Sequence, residues 1–250
     1  MMKLLLAAFC VLVFAQASFV PEGYTLVFAD EFDAVGLDRA AWDYRYLGEY
    51  QAGWNSEEAV VQIGDGLLQL VTTRQGERTL TGMIRSSAEW QYGYFEARIQ
   101  FQALQGHHGA FWLQSPRYND YLNDPAQSGA EIDIAEYFGG GREREFQHNV
   151  YWNPYDSPEL QRIGWTISYR RLSGQEMSAD FHVFGLLWTP SEYVFTVDGV
   201  ETGRTTAGVS QTPEYIVLSL ITSAWEAERL PADQLPDAML IDYVRVYQQP

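Results

Sequence analysis

Along most of the chain, short runs of alternating apolar and polar residues are separated by Gly, Pro, Asp and Asn. The runs are Thr25–Ala29, Leu67–Thr73, Tyr92–Phe101, Gly109–Gln114, Glu131–Phe138, Gln147–Tyr151, His182–Thr189, Tyr193–Val197, Tyr215–Thr222 and Met239–Tyr247. A period of two is the mark of a strand, because successive side chains point to opposite faces. Between Tyr94 and Phe101 the residues Phe95, Ala97, Ile99 and Phe101 share one face, while Glu96, Arg98 and Gln100 share the other. Such a strand buries one side and offers the other to solvent or a ligand. Asp65-Gly66 and Asp198-Gly199 are hairpin-turn signals between runs. Many short strands with few helical patterns predict an all-β fold, a two-sheet β-sandwich. No repeat, low-complexity tract or linker interrupts residues 18–250, so they read as a single domain, a length that sandwiches commonly reach.

One run carries unusual chemistry. Ser128 to Gly139 reads S-G-A-E-I-D-I-A-E-Y-F-G, with Glu131, Asp133 and Glu136 among small and β-branched residues and no counter-charge. In a regular strand Glu131 and Asp133 share a face, whereas Glu136, an odd interval further on, points away. A β-bulge near Ala135 returns Glu136 to the face of the other two. Like charges this close raise one another's pKa, so one acid can stay protonated beside an ionised one. Retaining glycoside hydrolysis uses such a pair, a carboxylate nucleophile and a carboxylic acid about 5–5.5 Å apart. A solvated acidic edge strand, or a calcium site built of the same acids, fits this stretch equally well.

The run resembles the E-x-D-x-x-E signature of glycoside hydrolase family 16, the laminarinase, lichenase, agarase and carrageenase group. The resemblance extends over nearly the whole domain, in the family's order. F-A-D-E-F-D (Phe28–Asp33) is similar to its opening D-E-F-D, and D-G-L-L-Q-L (Asp65–Leu70) to its d-G-x-L-x-L strand. Q-Y-G-Y-F-E-A-R (Gln91–Arg98) resembles Y-G-x-F-E-A-R, and A-F-W-L (Ala110–Leu113) resembles A-F-W. D-F-H-V-F-G-L-L-W-T-P (Asp180–Pro190), F-T-V-D-G (Phe195–Gly199) and I-D-Y-V-R-V-Y (Ile241–Tyr247) resemble its later blocks. The resemblance implies a jelly-roll sandwich with a concave, glycan-binding sheet. It implies Glu131 as nucleophile, Asp133 as its assistant and Glu136 as acid/base. Other members hold a structural calcium on the convex side, at positions matching Glu31, Asp65 and Asp242; catalysis itself requires no cofactor.

For the groove, the resemblance implies Trp225 in S-A-W-E as a stacking platform, Asn55 in G-W-N-S-E-E as a hydroxyl-binding amide, and His148 as a groove-side histidine. Trp112 alternates with Phe111, so only one of the two faces the groove; Trp112 is the candidate. Arg85 either donates to sugar hydroxyls or forms an exposed ion pair. His182 reads as a structural histidine. Two positions depart from the family pattern: its W-P-A-F-W is His108-Gly109-Ala110-Phe111-Trp112 here, and the Gln that follows its Asn and Glu is Ala59. Both departures bear on substrate identity.

Aromatic residues make up 15% of the chain, which suits stacking on sugars as well as core packing. Residues 1–17 read as a signal peptide, with Lys3, an apolar stretch Leu4–Phe14 and a small-x-small site Ala15-Gln16-Ala17. Cys10, the single cysteine, lies inside it, so the exported domain would carry no disulfide. The apolar stretch is too short to span a membrane. A net charge of −17 disfavours nucleic acid, anionic membranes and anionic polysaccharides as partners. The expectation is a monomeric, secreted or periplasmic, endo-acting retaining hydrolase of β-1,3- or mixed β-1,3/1,4-glucan. A β-galactan hydrolase is the alternative, and a non-catalytic glycan-binding relative is disfavoured because all three acids are present.

Overall fold

The computed structural model describes residues 19–63, 66–168 and 176–250; the expected signal peptide and Asp65 lie outside these. Among the described residues the strands are β1 (Thr25–Asp30), β2 (Trp42–Tyr44), β3 (Gly48–Tyr50), β4 (Gly53–Asn55), β5 (Val60–Ile63) and β6 (Leu67–Gln75). They continue as β7 (Arg78–Ser86), β8 (Gly93–Gln100), β9 (His108–Gln114), β10 (Glu131–Tyr137), β11 (Glu145–Trp152) and β12 (Gln161–Ser168). The last five are β13 (His182–Trp188), β14 (Tyr193–Val197), β15 (Val200–Thr205), β16 (Tyr215–Ile221) and β17 (Asp237–Gln248).

A strand with one apolar face must bury that face against another layer. One layer runs β15-β14-β13-β8-β17, and the far edge of β17 is shared by β6 and β1. The other runs β12-β11-β10-β9-β16-β7-β2. The β6–β7 hairpin joins them: Leu68–Thr72 pair with β17, then Thr73–Gln75 pair with β7. The result is the expected all-β, two-layer jelly-roll sandwich.

Between the layers Phe95, Ala97 and Ile99 of β8 and Phe184 and Leu186 of β13 are buried against Phe111 and Leu113 of β9 and Ile132 and Ile134 of β10. Phe101 packs on Tyr137 at 5.2 Å, and Phe146 on Phe184 at 5.5 Å. Each such ring removed from water contributes about 1.5–3 kcal/mol. The face of β8 expected to be apolar is therefore the core face. Asp198-Gly199 makes the β14–β15 turn, as its dipeptide predicts.

All ten expected runs form strands. The alternation rule overlooked β7, whose residues Thr79–Ile84 are all buried, so both of its faces are covered and the pattern does not alternate. It also overlooked β12, an edge strand with no buried residue and a mixed polar composition.

Candidate active site

The carboxylate strand begins where it does because of the turn before it. The short helix α1 (Pro125–Ser128) is capped by the Asp124 side chain and ends at Gly129, at φ 77°. A Cβ on Gly129 would lie 2.1 Å from that of Ser115, so only glycine fits there. Ala130 N–H then donates to Glu214 Oε1 at 3.0 Å, and β10 enters the middle of its sheet.

The bulge falls where the spacing of the acids requires it. Asp133 pairs with Trp112 of β9 and Ala135 with Phe111, so one extra residue is accommodated at Ile134–Ala135. Both of these side chains are buried in the core, and Glu136 then faces Ala110 on the groove side with Glu131 and Asp133. Glu131 and Asp133 line one wall of a cleft of about 390 Å³, with Glu136 behind His108, and the other linings include Arg45, Tyr50, Trp112, Gln114, Tyr155 and Trp225.

Each acid has its own hydrogen-bond environment. Glu131 Oε2 accepts from Gln114 Nε2 at 3.1 Å and from the Tyr155 hydroxyl. Gln114 is held in turn by Arg45 and, at 3.0 Å, by the Tyr215 hydroxyl. Glu136 Oε1 is 2.7 Å from His108 Nε2, and its Oε2 accepts from Asn149 Nδ2. Arg162 fixes Asn149 through two bonds to Oδ1, of 2.9 and 2.6 Å. Asp133 is buried between the two glutamates and in hydrogen-bond contact with Glu136, while its Oδ2 has no protein partner.

Burial pushes the Glu131 carboxyl up to about 7, assisted by the charge of Glu136 and opposed by Tyr155. Burial, then the two neighbouring carboxylates, raise Asp133 well above its ordinary value. Burial acts upward on Glu136 too, but the bond and charge from His108, followed by Asn149 and Asp133, hold it below the ordinary carboxyl value. The surroundings therefore favour protons on Glu131 and Asp133 over Glu136, the reverse of an ionised nucleophile beside a protonated acid. The reason is local: both oxygens of Glu136 receive N–H donors, and Glu131 has lost most of its water.

The other expected site residues divide. Trp112 lies on the cleft floor, with its indole N–H on Ser219 Oγ at 3.1 Å and the Arg45 guanidinium 4.6 Å above its ring. Trp225 stands at the cleft wall, 62% exposed. Arg85 lies beside Tyr215 and pairs loosely with Asp43 at 3.9 Å, the exposed ion pair weighed above.

His148 is a correction. Asp133 pairs with Asn149 and Glu131 with Tyr151, so the odd positions of β11 face the groove and His148 faces the core. It is fully buried, with Nδ1 on the Ile134 carbonyl at 2.6 Å and Nε2 on Thr202 Oγ1 at 2.8 Å. Burial lowers its pKa to about 4, so it stays neutral. Asn55 is also buried, bonded to the Arg45 carbonyl and Thr81; it braces the backbone that presents Arg45 rather than meeting a sugar. His182 is structural as expected, bonded to Asp198 at 2.9 Å.

Of the three calcium positions, Glu31 and Asp242 are already engaged by arginines, and Asp65 lies outside the described residues. Arg245 grips Glu31 through two bonds of 2.8 and 2.9 Å, and Arg98 holds Asp242 at 2.6 Å. Among the described residues no cluster of three His, Cys, Asp or Glu is arranged to hold a metal.

Sequence reasoning overlooked His108, Gln114 and Asn149 as partners of the acids. The first two were accessible: His108, Ala110, Trp112 and Gln114 alternate along β9 and so share the groove face.

A carboxylate trio, two of them buried, on the outer face of a β-sandwich beside an aromatic-lined cleft is the equipment of a glycoside hydrolase. The chain belongs to the glycosyl hydrolases family 16, whose family model matches residues 48–245. A β-glucanase of Rhodothermus marinus is 26% identical over 90% of this chain and 85% of its own length. The κ-carrageenase of Pseudoalteromonas carrageenovora is 24% identical over 88% of this chain and 63% of its own length. The solved structure of porphyranase B from Zobellia galactanivorans superposes with a TM-score of 0.75 at 20% identity, covering 93% of this chain and 98% of that one.

Proposed function

We propose that the protein is a secreted, endo-acting, retaining β-glycan hydrolase that cleaves β-1,3- or mixed β-1,3/1,4-glucan. The observation that carries the mechanism is the bulge, which sets Glu131 and Glu136 on one face with Asp133 between them. Glu131, held by Gln114 and Tyr155 at the cleft wall, attacks the anomeric carbon and forms the glycosyl-enzyme. Glu136 protonates the departing oxygen and then takes a proton from the attacking water. Glu136 works as an acid in the first step and as a base in the second, and the bonds from His108 and Asn149 favour the second of these forms. Trp225 supplies an apolar face for a sugar ring, while Trp112 forms the cleft floor beneath Arg45.

Glu131→Gln and Glu136→Gln should each lower kcat by orders of magnitude while glycan binding survives, measured by reducing-end release beside binding isotherms. Glu131→Gly with azide should yield a glycosyl azide of inverted configuration. Near-normal turnover by Glu131→Gln would refute the assignment.

A galactan substrate is the second reading, favoured by His108-Gly109 standing where laminarinase-like relatives carry Trp-Pro. An indole and a rigid ring are replaced by a smaller polar side chain and glycine, which weakens stacking on a plain glucan by about 1–2 kcal/mol at that position. Laminarin, lichenan, agarose, galactan and carrageenan assayed side by side separate the readings. The expected result is modest laminarin cleavage with a better neutral substrate among the others; fast cleavage of laminarin alone would refute the relaxed groove.

A further inference from the structure

The departure at His108 does more than remove an indole. Its Nε2 lies 2.7 Å from Glu136 Oε1, and its Nδ1 lies 3.0 Å from Ser223 Oγ. The ring stacks on Phe138 at 4.6 Å and 20°, and Trp225 tilts against it at 5.9 Å. Both ring nitrogens are therefore engaged and one ring face is stacked, which fixes the orientation of the imidazole. When the Ser223 hydroxyl donates to Nδ1, the proton of a neutral ring sits on Nε2 and points at Glu136.

Asn149 donates to the other oxygen of the same carboxylate. Two N–H donors on two oxygens make stronger hydrogen bonds to the anion than to the acid, and so favour the anion. Of the charged groups nearby, Asp133, in hydrogen-bond contact with Glu136, also favours the anion, while the like charge of Glu131 opposes it. Arg142, beside Phe138, is paired with Glu226, which Arg229 also holds. His108 is thus the direct donor to Oε1, with Asn149 on Oε2.

We propose that His108 is a positioning residue for the second half of the reaction, holding Glu136 as the anion that deprotonates water when the glycosyl-enzyme is hydrolysed. This rests on the reading of Glu131 as nucleophile and Glu136 as acid/base. In that step water oxygen bonds to the anomeric carbon and its proton passes to Glu136. The bond from that carbon to the Glu131 oxygen breaks, and its electron pair returns to the Glu131 carboxylate.

The test compares the full-length enzyme with His108→Phe, which keeps the stack on Phe138 and removes the donor, and with His108→Gln, which keeps a neutral N–H. The probe is the 2,4-dinitrophenyl β-glycoside of laminaribiose, or of β-linked galactobiose if the panel selects a galactan. Its leaving group departs without an acid, so hydrolysis of the intermediate limits turnover. For His108→Phe, kcat and KM should fall together, kcat by about tenfold or more, and the glycosyl-enzyme should accumulate by intact-protein mass spectrometry. Azide, which needs no base, should restore kcat and give a glycosyl azide of retained configuration. His108→Gln should recover much of the rate without azide.

Loss of kcat/KM in both variants with no accumulated intermediate and no azide effect would overturn the proposal, leaving His108 as a wall of the groove. Glu136→Gln serves as the control for the underlying reading. If it shows azide rescue while the His108 variants do not, only this inference fails; if it turns over normally, the acid/base reading fails first.

Discussion

Three carboxyl groups within six residues of one strand cannot all be charged when water is largely excluded from them. Glu131 titrates near 7 instead of its ordinary 4.5, chiefly through burial. Between those two values the folded chain holds more protons than the unfolded one, so this group makes stability fall as pH rises through the window, and its full cost is present above 7. Glu131→Gln removes that cost. At pH 8 it should stabilise the protein by about 1–2 kcal/mol after allowance for screening, raising Tm by about 2–4 °C per kcal/mol. The gain should vanish at about pH 3, where the wild-type group is protonated in both states. Calorimetry at the two pH values checks this, and an equal gain at both would disprove the linkage. At this scale the acids themselves were legible, because their spacing dictates a shared face. His148 was not, since its parity becomes known only once Asn149 is paired with Asp133.

At the scale of the element, the bulge is a single-residue device with a simple test. Inserting one alanine after Ala135 turns Glu136 inward, toward Phe101 and Phe111, where an unpaired carboxylate costs several kcal/mol. The expected result is loss of cooperative unfolding near the wild-type Tm. Deleting Ala135 has the opposite character: it leaves regular alternation, so Ile134 and Tyr137 stay inside and the glutamate stays on the groove side. That variant should fold with a modest drop in Tm, yet lose most activity because the carboxylate shifts along the strand relative to His108 and Asn149. Circular dichroism melts beside reducing-end assays separate the two cases. Equal behaviour of both variants would argue against the bulge as the determinant. The bulge was legible because the odd interval between Glu131 and Glu136 demands one. The partners of the acids were less so, since they come from β9, β11 and the loop carrying Tyr155, and strand order is not written in local periodicity.

At the scale of the whole molecule, a net charge of −17 surrounds a groove whose own chemistry is carboxylate. Long-range repulsion should slow the approach of sulfated polymers, and salt should relieve it. Among the panel substrates carrageenan should be poor at low ionic strength, with kcat/KM rising as NaCl increases, whereas neutral glycans should show little salt dependence. Fast carrageenan cleavage at low salt would show that local cations such as Arg85 and Arg45 outweigh the global field.

Trp225 gives this enzyme an optical handle. The other tryptophans include Trp42, Trp112 and Trp188, buried at or below 8% exposure, whereas Trp225 is largely open beside the three acids. A sugar ring that covers it replaces water with hydrocarbon around an indole that already touches the His108 ring. Emission should move to the blue as the groove fills, and Trp225→Phe should abolish that change. Occupancy can then be followed in real time on Glu131→Gln, with unlabelled polysaccharide and no turnover to blur the signal.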